Sequence, residues 1–418
     1  MSGRSLNVTD VAIIGGGVIG LACARVLQRA GRQVTVIDAS EVGRGCSYGN
    51  AGLVAVDHIL PLARPDVLMG ALGMLADPLG PLHLRWSALP SLLPWLMRLA
   101  LASRPSAVSN GTQILAKLLR EAVPAWKHLA VDAGEPQLFR HQGYLTLFET
   151  AKSATAAEAE NRLLRRHGIQ FEPVSATCIR AMCPALKRDM YAGRFHPDAI
   201  YTTDPFELVR SLYRRFVADG GTVIEGQHVR AILTEPGSAT GLRLADGELK
   251  AGSIVLAAGS GSVDLARPLG VKAPLTRERG YHVMVDEGEI PLNMPLLFAE
   301  RGFVATPMAT GLRLAGTVEL GARAPDWKRA DILRRHAEDL FDRPGLAEQS
   351  QWFGDRPTLP DYLPMVGLVP GCRNVTLAFG HQHLGLTLAA VTAELVGDLV
   401  NGRDPRVDIS ALSVSRFC

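Results

Sequence analysis

The apolar pattern of the first forty residues changes period twice. Asp10-Val11-Ala12-Ile13-Ile14 is an unbroken, largely β-branched run, as expected of a strand buried on both faces. Gly15-Gly16-Gly17-Val18-Ile19-Gly20 interrupts it. Leu21 to Ala30 then has helical composition until Gly31 stops it, and Gln33 to Asp38 is a second strand. The opening is therefore a βαβ unit. The same grammar returns further on. Phe206, Val209, Leu212 and Phe216 recur at helical spacing ahead of Gly220-Gly221. Strands are expected near 222–225, 229–234 and 240–244, with a hairpin turn at Asp246-Gly247. Ser253 to Gly259 reads as another buried strand entering a glycine turn. Near the C-terminus a strand at Asn374–Gly380 precedes a helix from Gly385 to Val400.

Two stretches of different character, 58–198 and 271–353, separate these blocks. They hold an Ala/Glu-rich helix near 151–168 and strand-like runs such as Gly143 to Phe148. The expected organisation is interleaved. One nucleotide-type unit is built from 1–57, 199–270 and 354–418, and a second unit from the two stretches between. Residues 59–103 are rich in Leu, Pro, Met and Trp; within them Arg85 and Arg98 bound the run Trp86 to Met97, which Pro90 and Pro94 break. It falls short of the roughly 20 apolar residues of a membrane span. A core-packed helical excursion is expected there, with a lid or membrane-surface patch as the alternative.

Composition narrows the class. In 418 residues, 47% apolar and 20% charged, the balance is that of a globular chain large enough for two domains. A net charge of +3 without any Lys/Arg run gives no footing for nucleic acid. The six cysteines are scattered, and none stands in a zinc spacing, so no metal site and free thiols are expected. Met1 to Asp10 lacks the features of a secretory signal, which points to a cytoplasmic protein, with a place at the inner membrane face as the alternative.

The glycine turn carries the chemistry. A strand precedes Gly15, a helix follows Gly20, and the acid Asp38 closes the second strand eighteen residues later. Gly15 permits the tight turn, Gly17 lets backbone approach a pyrophosphate, and Gly20 lets helix pack on strand. Val18 and Ile19 bring helix N–H groups toward the phosphates. Asp38, with Ala39 beside it, suits the two hydroxyls of an adenosine ribose and disfavours a 2′-phosphate, hence NADP. The polar loop that follows, from Arg44 through Ser47 and Asn50-Ala51-Gly52 to Leu53, is not what a nicotinamide enzyme usually places there. It favours FAD over NAD.

With these residues in view the chain resembles the D-amino-acid oxidase superfamily of FAD enzymes, and within it the bacterial D-amino-acid dehydrogenases. The resemblance runs from about residue 9 to 403 and rests on Gly15 to Gly20, Ser47 to Gly52, Ile254 to Gly259, Arg313 to Glu319, Asp355-Arg356-Pro357 to Pro364, and Gly380 to Thr387. It implies an α/β fold, a Rossmann-type FAD-binding domain interleaved with a second, α+β substrate domain. It further implies that Val229 meets the adenine and that Ala258 and Gly259 lie beside the phosphates. Gly380, His381, Leu384, Gly385, Leu386 and Thr387 would form the turn under the flavin pyrimidine. A helix starting near Gly385 would direct its positive end at charge developing on reduced flavin.

The resemblance also implies that Arg356 clamps the substrate carboxylate, a task suited to its bidentate fork. Arg313, alternating with apolar residues in a strand, is expected to be structural. Where relatives often supply a Tyr near the carboxylate, Leu297-Phe298-Ala299-Glu300 has none; Tyr281 either compensates or packs. His383 stands where relatives often carry a small or uncharged residue, and is expected to bond a substrate hydroxyl, tune amine protonation or face solvent. The Gly-His-Gln-His-Leu-Gly turn is similar to that of D-hydroxyproline dehydrogenases. The implied reaction is hydride removal from a D-amino acid, D-proline or D-hydroxyproline to give an imine, with oxygen, a quinone or a partner protein as electron acceptor. Glycine or sarcosine-type oxidation, or a non-catalytic flavin subunit of a larger dehydrogenase, are the rival readings.

Overall fold

A computed structural model describes residues 8–286, 288 and 290–417. The polar lead through residue 7 and Cys418 lie outside them. Two large sheets organise the chain. The first, eight-stranded among the described residues, has a parallel centre running Thr222–Ile224, Val34–Ile37, Val8–Ile14, Gly247–Leu256 and Cys372–Phe379. Its central strands are the β-branched runs, because strands covered on both faces can be apolar at every position. Ser238–Leu244 and Ala231–Glu235 extend it antiparallel on one side, and Met365–Val369 pairs with Cys372–Phe379. Strand Ala231–Glu235 starts later than the expected 229, which leaves Val229 in the preceding coil.

Helix α1 (Val18–Arg29) follows the first strand and buries its apolar face against the C-terminal helix Gly385–Val400. That helix, taken from Gln382, is long and apolar enough to cross a membrane, but 67% of its most apolar window is buried within the protein. It is a core helix. The sheet packs between such helices, which makes this a Rossmann-type α/β fold.

The second sheet, nine-stranded among the described residues, is mostly antiparallel. Its order is Glu348–Thr358, Thr276–Val285, Gly311–Leu320, Phe303–Met308, Leu296–Phe298, Tyr144–Phe148, Ala192–His196, Glu172–Ser175, with Leu82–Leu84 beside Gly311–Leu320. Strand Glu348–Thr358 runs without a break through the 353/354 boundary drawn from sequence. It pairs along its length with Thr276–Val285, which holds it in the second sheet as far as Thr358.

The apolar stretch 59–103 departs from the core-packed expectation. Helix α2 (Pro65–Ala76) has no fully buried residue, and Met69 and Leu72 are each 74% exposed. Helix α3 (Leu89–Ala102) buries Leu92, Trp95 and Leu99 but leaves Leu93, Met97 and Leu101 exposed. Helical period put one face of α3 inward; α2 only partly buries Leu68 and Leu75.

Candidate functional site

A cavity of about 1100 Å³ runs between the two sheets. It is lined by the glycine turn, Asp38, Ala39, Val229, Ala258 and Gly259, by Ser47, Asn50, Ala51 and Leu53, and by Gly380, His381, Leu384, Gly385, Leu386 and Thr387. Gly20 and Gly52 are absent from the lining. A Cβ on Gly20 would lie 1.8 Å from the Gly15 carbonyl oxygen, so this glycine serves helix–strand packing. Gly52 sits at φ +78°, where its N–H donates to Asn50 Oδ1 at 2.8 Å; it shapes the loop.

The turn is tightly built. Asp38 Oδ2 accepts from Gly16 N at 2.6 Å, and Ser47 Oγ accepts from Val18 N at 2.9 Å. A Cβ on Gly15 would lie 2.4 Å from the Ala257 carbonyl oxygen, and one on Gly17 would stand 3.2 Å from Ser47 Oγ, inside the cavity. The donors, the open helix end and an acid across the turn fit a dinucleotide's phosphates and ribose. Arg313 is structural, as expected, and its role is specific: its Nη1 donates to the Asn50 carbonyl at 2.6 Å and to the Tyr48 carbonyl at 3.2 Å, pinning the second loop.

The substrate end is made by the second sheet. Arg356 faces the cavity, and its Nη1 donates to the Thr317 carbonyl at 3.1 Å. Two glycines make room for it. Gly280 and Gly354 are paired across adjacent strands, and their missing side chains leave a trough. Arg356 leans over Gly280 from one side and Trp352 over Gly354 from the other. Thr317 belongs to a bulge opposite Gly280 and has φ +58°, a strained value for a β-branched residue. That twist turns its carbonyl toward Arg356. Its buried hydroxyl has no hydrogen-bond partner among the described residues.

Glu278 is the cross-strand partner of Arg356 and lines the same cavity, 3% exposed. Tyr362, itself left-handed at φ +56°, donates its hydroxyl to Glu278. Burial pushes the Glu278 carboxyl up, against the pull of the Tyr362 hydroxyl and the Arg356 charge. Of the two expectations for Tyr281, which borders the cavity, the geometry favours packing. Its hydroxyl donates to Glu319 at 2.7 Å and accepts from Asp326 N at 2.8 Å, so it is spent inside the sheet. Tyr362 is the tyrosine beside Arg356.

His383 lines the cavity next to His58, ring centroids 5.4 Å apart and nearly perpendicular. Burial, then His58 and Arg356, hold its imidazole pKa well below the ordinary value. Behind His58 lies Asp57, buried, which accepts from the Tyr144 hydroxyl and from Arg194 Nη2 at 3.3 Å. His381 is buried with Nε2 3.0 Å from Thr392 Oγ1, and burial drops its pKa to about 3. Sequence reasoning missed Asp57, His58, Glu278, Thr317, Trp352 and Tyr362. The only local signal was the alternation Arg277-Glu278-Arg279-Gly280 in a strand, where charges on both faces are out of place unless one face is functional.

Residues 10–399 match the protein family described as FAD dependent oxidoreductase, DAO. The chain is 34% identical to a D-amino-acid oxidase of Bradyrhizobium diazoefficiens, over 97% of this chain and 98% of that one. It is 31% identical to a D-amino acid dehydrogenase of Paramagnetospirillum magneticum, over the same shares. Among solved structures it is similar to an L-proline dehydrogenase from P. horikoshii, with TM-score 0.78, 16% identity and 98% of each chain covered. It is also similar to a glycine oxidase from Geobacillus kaustophilus, with TM-score 0.76, 22% identity, and 98% of this chain and 99% of that one covered.

Proposed function

This chain belongs to the DAO family of FAD dependent oxidoreductases, and from that premise we propose that the cavity binds a D-amino or cyclic imino acid by its carboxylate on Arg356 and oxidises its CH–NH group. The enzyme is an FAD-dependent amino-acid oxidoreductase, and its relatives are named D-amino-acid oxidases and dehydrogenases. When bound, FAD supplies the two-electron acceptor for the C–H bond. The chain's part is positioning. The glycine turn, Asp38 and Ser47 hold the nucleotide half, and the Gly380–Thr387 turn holds the flavin end. The trough at Gly280 and Gly354 takes Arg356 and Trp352, and the guanidinium so placed would hold the substrate against them.

The observation that carries this reading is Arg356. Its guanidinium faces the cavity with the Thr317 carbonyl as its hydrogen-bonded protein acceptor, which leaves donors for a carboxylate. A non-catalytic flavin subunit would have no use for such a group. Proline-like substrates are favoured, because His383 and His58 face the same space with imidazoles able to meet a ring hydroxyl. The exposed apolar face of α2 and α3, with Arg98 and Arg104 close by in the chain, supports a peripheral membrane contact and an acceptor held there.

An anaerobic titration of the yellow holoenzyme with D-alanine, D-proline and D-hydroxyproline tests the reading. Bleaching of the flavin band by at least one of them is expected. No bleaching by any D-amino or imino acid, with glycine and sarcosine active, would overturn it.

A further inference from the structure

Glu278 has no part in the carboxylate-clamp reading, yet it stands in the clamp. It is the register partner of Arg356, so both side chains leave the same face of the sheet. Cβ atoms of such a pair lie about 4.5–5.5 Å apart. The next pair on that face is Gly280 and Gly354; Arg356 lies over Gly280 and Trp352 over Gly354, and both Arg356 and Glu278 line the cavity. A guanidinium and a carboxylate thus open side by side into the substrate space. The Tyr362 hydroxyl holds Glu278 from behind.

An amino acid presents the mirror pattern, with a carboxylate and an ammonium on one carbon. We propose that Arg356 and Glu278 together read this zwitterion, and that Glu278 takes the ammonium proton and so delivers the amine in its neutral form. This rests on the reading of Arg356 as the carboxylate clamp. In the transfer one substrate N–H bond breaks and one O–H bond forms on Glu278. The electron pair of the broken bond stays on nitrogen as the lone pair that the developing C=N bond needs. The proton leaves to water when the imine departs.

The surroundings suit a carboxyl that changes charge. Arg356 and Tyr362 face Glu278 directly, and Cys46 and His383 lie beyond Arg356. His383 is held neutral, so Arg356 is the one permanent cation in this group. Burial favours the protonated carboxyl and Arg356 the ionised one, the balance a general base requires.

The test compares two ligands that cannot be oxidised or that lack the amine, 2-aminoisobutyrate and isobutyrate, binding to FAD-loaded enzyme and followed by calorimetry. Wild type should bind the amino compound more tightly. Glu278→Gln keeps the shape and a bond to Tyr362, and should lose at least about 10-fold of that preference while holding isobutyrate as well or better. Its anaerobic flavin reduction should be slow at neutral pH and recover as pH rises and the free amine becomes available. Tyr362→Phe, which removes a bond to the ionised carboxyl, should move the acid limb of the wild-type profile upward. An unchanged preference and pH profile in Glu278→Gln would overturn the proposal, and so would equal loss of both ligands, which would make Glu278 a support for Arg356. If the clamp reading itself were at fault, neither carboxylate would bind wild type, an outcome separate from both.

Discussion

Gly280 leaves the space that Arg356 occupies. A Cβ at residue 280 would lie 2.1 Å from Arg356 Nη2, so the glycine lets the guanidinium lie across the sheet and reach the cavity. Gly280→Ala is expected to displace the arginine while leaving FAD bound, raising KM for the carboxylate substrate by roughly 10- to 100-fold. Flavin content and KM measured together check this. An unchanged KM would show that the position of Arg356 does not set substrate binding.

Arg356→Lys should keep the charge and lose the fork. Replacing a bidentate contact to a carboxylate costs roughly 2–4 kcal/mol, about 30- to 1,000-fold in kcat/KM. Stopped-flow reduction of the bound flavin is the readout. Wild-type rates would assign Arg356 a structural role instead.

The legible parts of this protein were local. Gly15 to Gly20 and Asp38 are separated by one helix and carry their meaning in their spacing, so both the turn and the fold class could be read from the chain. Arg313 could be read as structural from its alternation, though not that it pins the loop at Tyr48 and Asn50. What escaped depends on distant pairing. Glu278 meets Tyr362 across 84 positions, and Arg194 meets Asp57 across 137. No periodicity encodes such contacts. The two readings of Tyr281 stayed open for the same reason: Glu319, which consumes its hydroxyl, is a neighbour only after the sheet has formed. Helix α2 misled differently. Apolar composition suggested a core helix, but composition does not say whether a partner surface exists.

His383→Ala should narrow the difference between D-hydroxyproline and D-proline by lowering kcat/KM more for the hydroxylated compound. With the plain ring the half-buried imidazole would be left unpaired. Equal losses on both substrates would remove hydroxyl recognition, and loss of FAD would assign the residue to cofactor support.

Acid should weaken the fold from about pH 6.5 downward. His381 and His282 are both depressed to about 3, chiefly by burial. A histidine depressed in the folded state takes up protons first when unfolded. Its stabilisation is therefore complete above about pH 6.5 and declines as pH falls toward the folded value. At pH 5 each would have lost about 2 kcal/mol. Thermal melts of the holoenzyme from pH 7.5 to 5 should show a falling Tm, with a shallower slope for His381→Asn. Parallel slopes would contradict the neutral burial of His381.

Leu72→Glu, on the exposed face of α2, should reduce binding to vesicles containing anionic lipid while leaving Tm within about 1 °C, since substitutions away from packed contacts change stability little. Sedimentation with the vesicles reads it. Equal pelleting of variant and wild type would remove α2 from any membrane contact.

An isolated bridge joins Thr358, at the end of the strand that carries Arg356, to His381, at the start of the Gly380–Thr387 turn. Two residues of backbone thus separate the carboxylate clamp from the turn assigned to the flavin. Order at one is shared through this bridge, so loading of the cofactor and assembly of the clamp are expected to be coupled. Apoprotein emptied of FAD should hold simple carboxylates poorly, and a carboxylate in the clamp should slow the escape of FAD by the same reciprocal coupling.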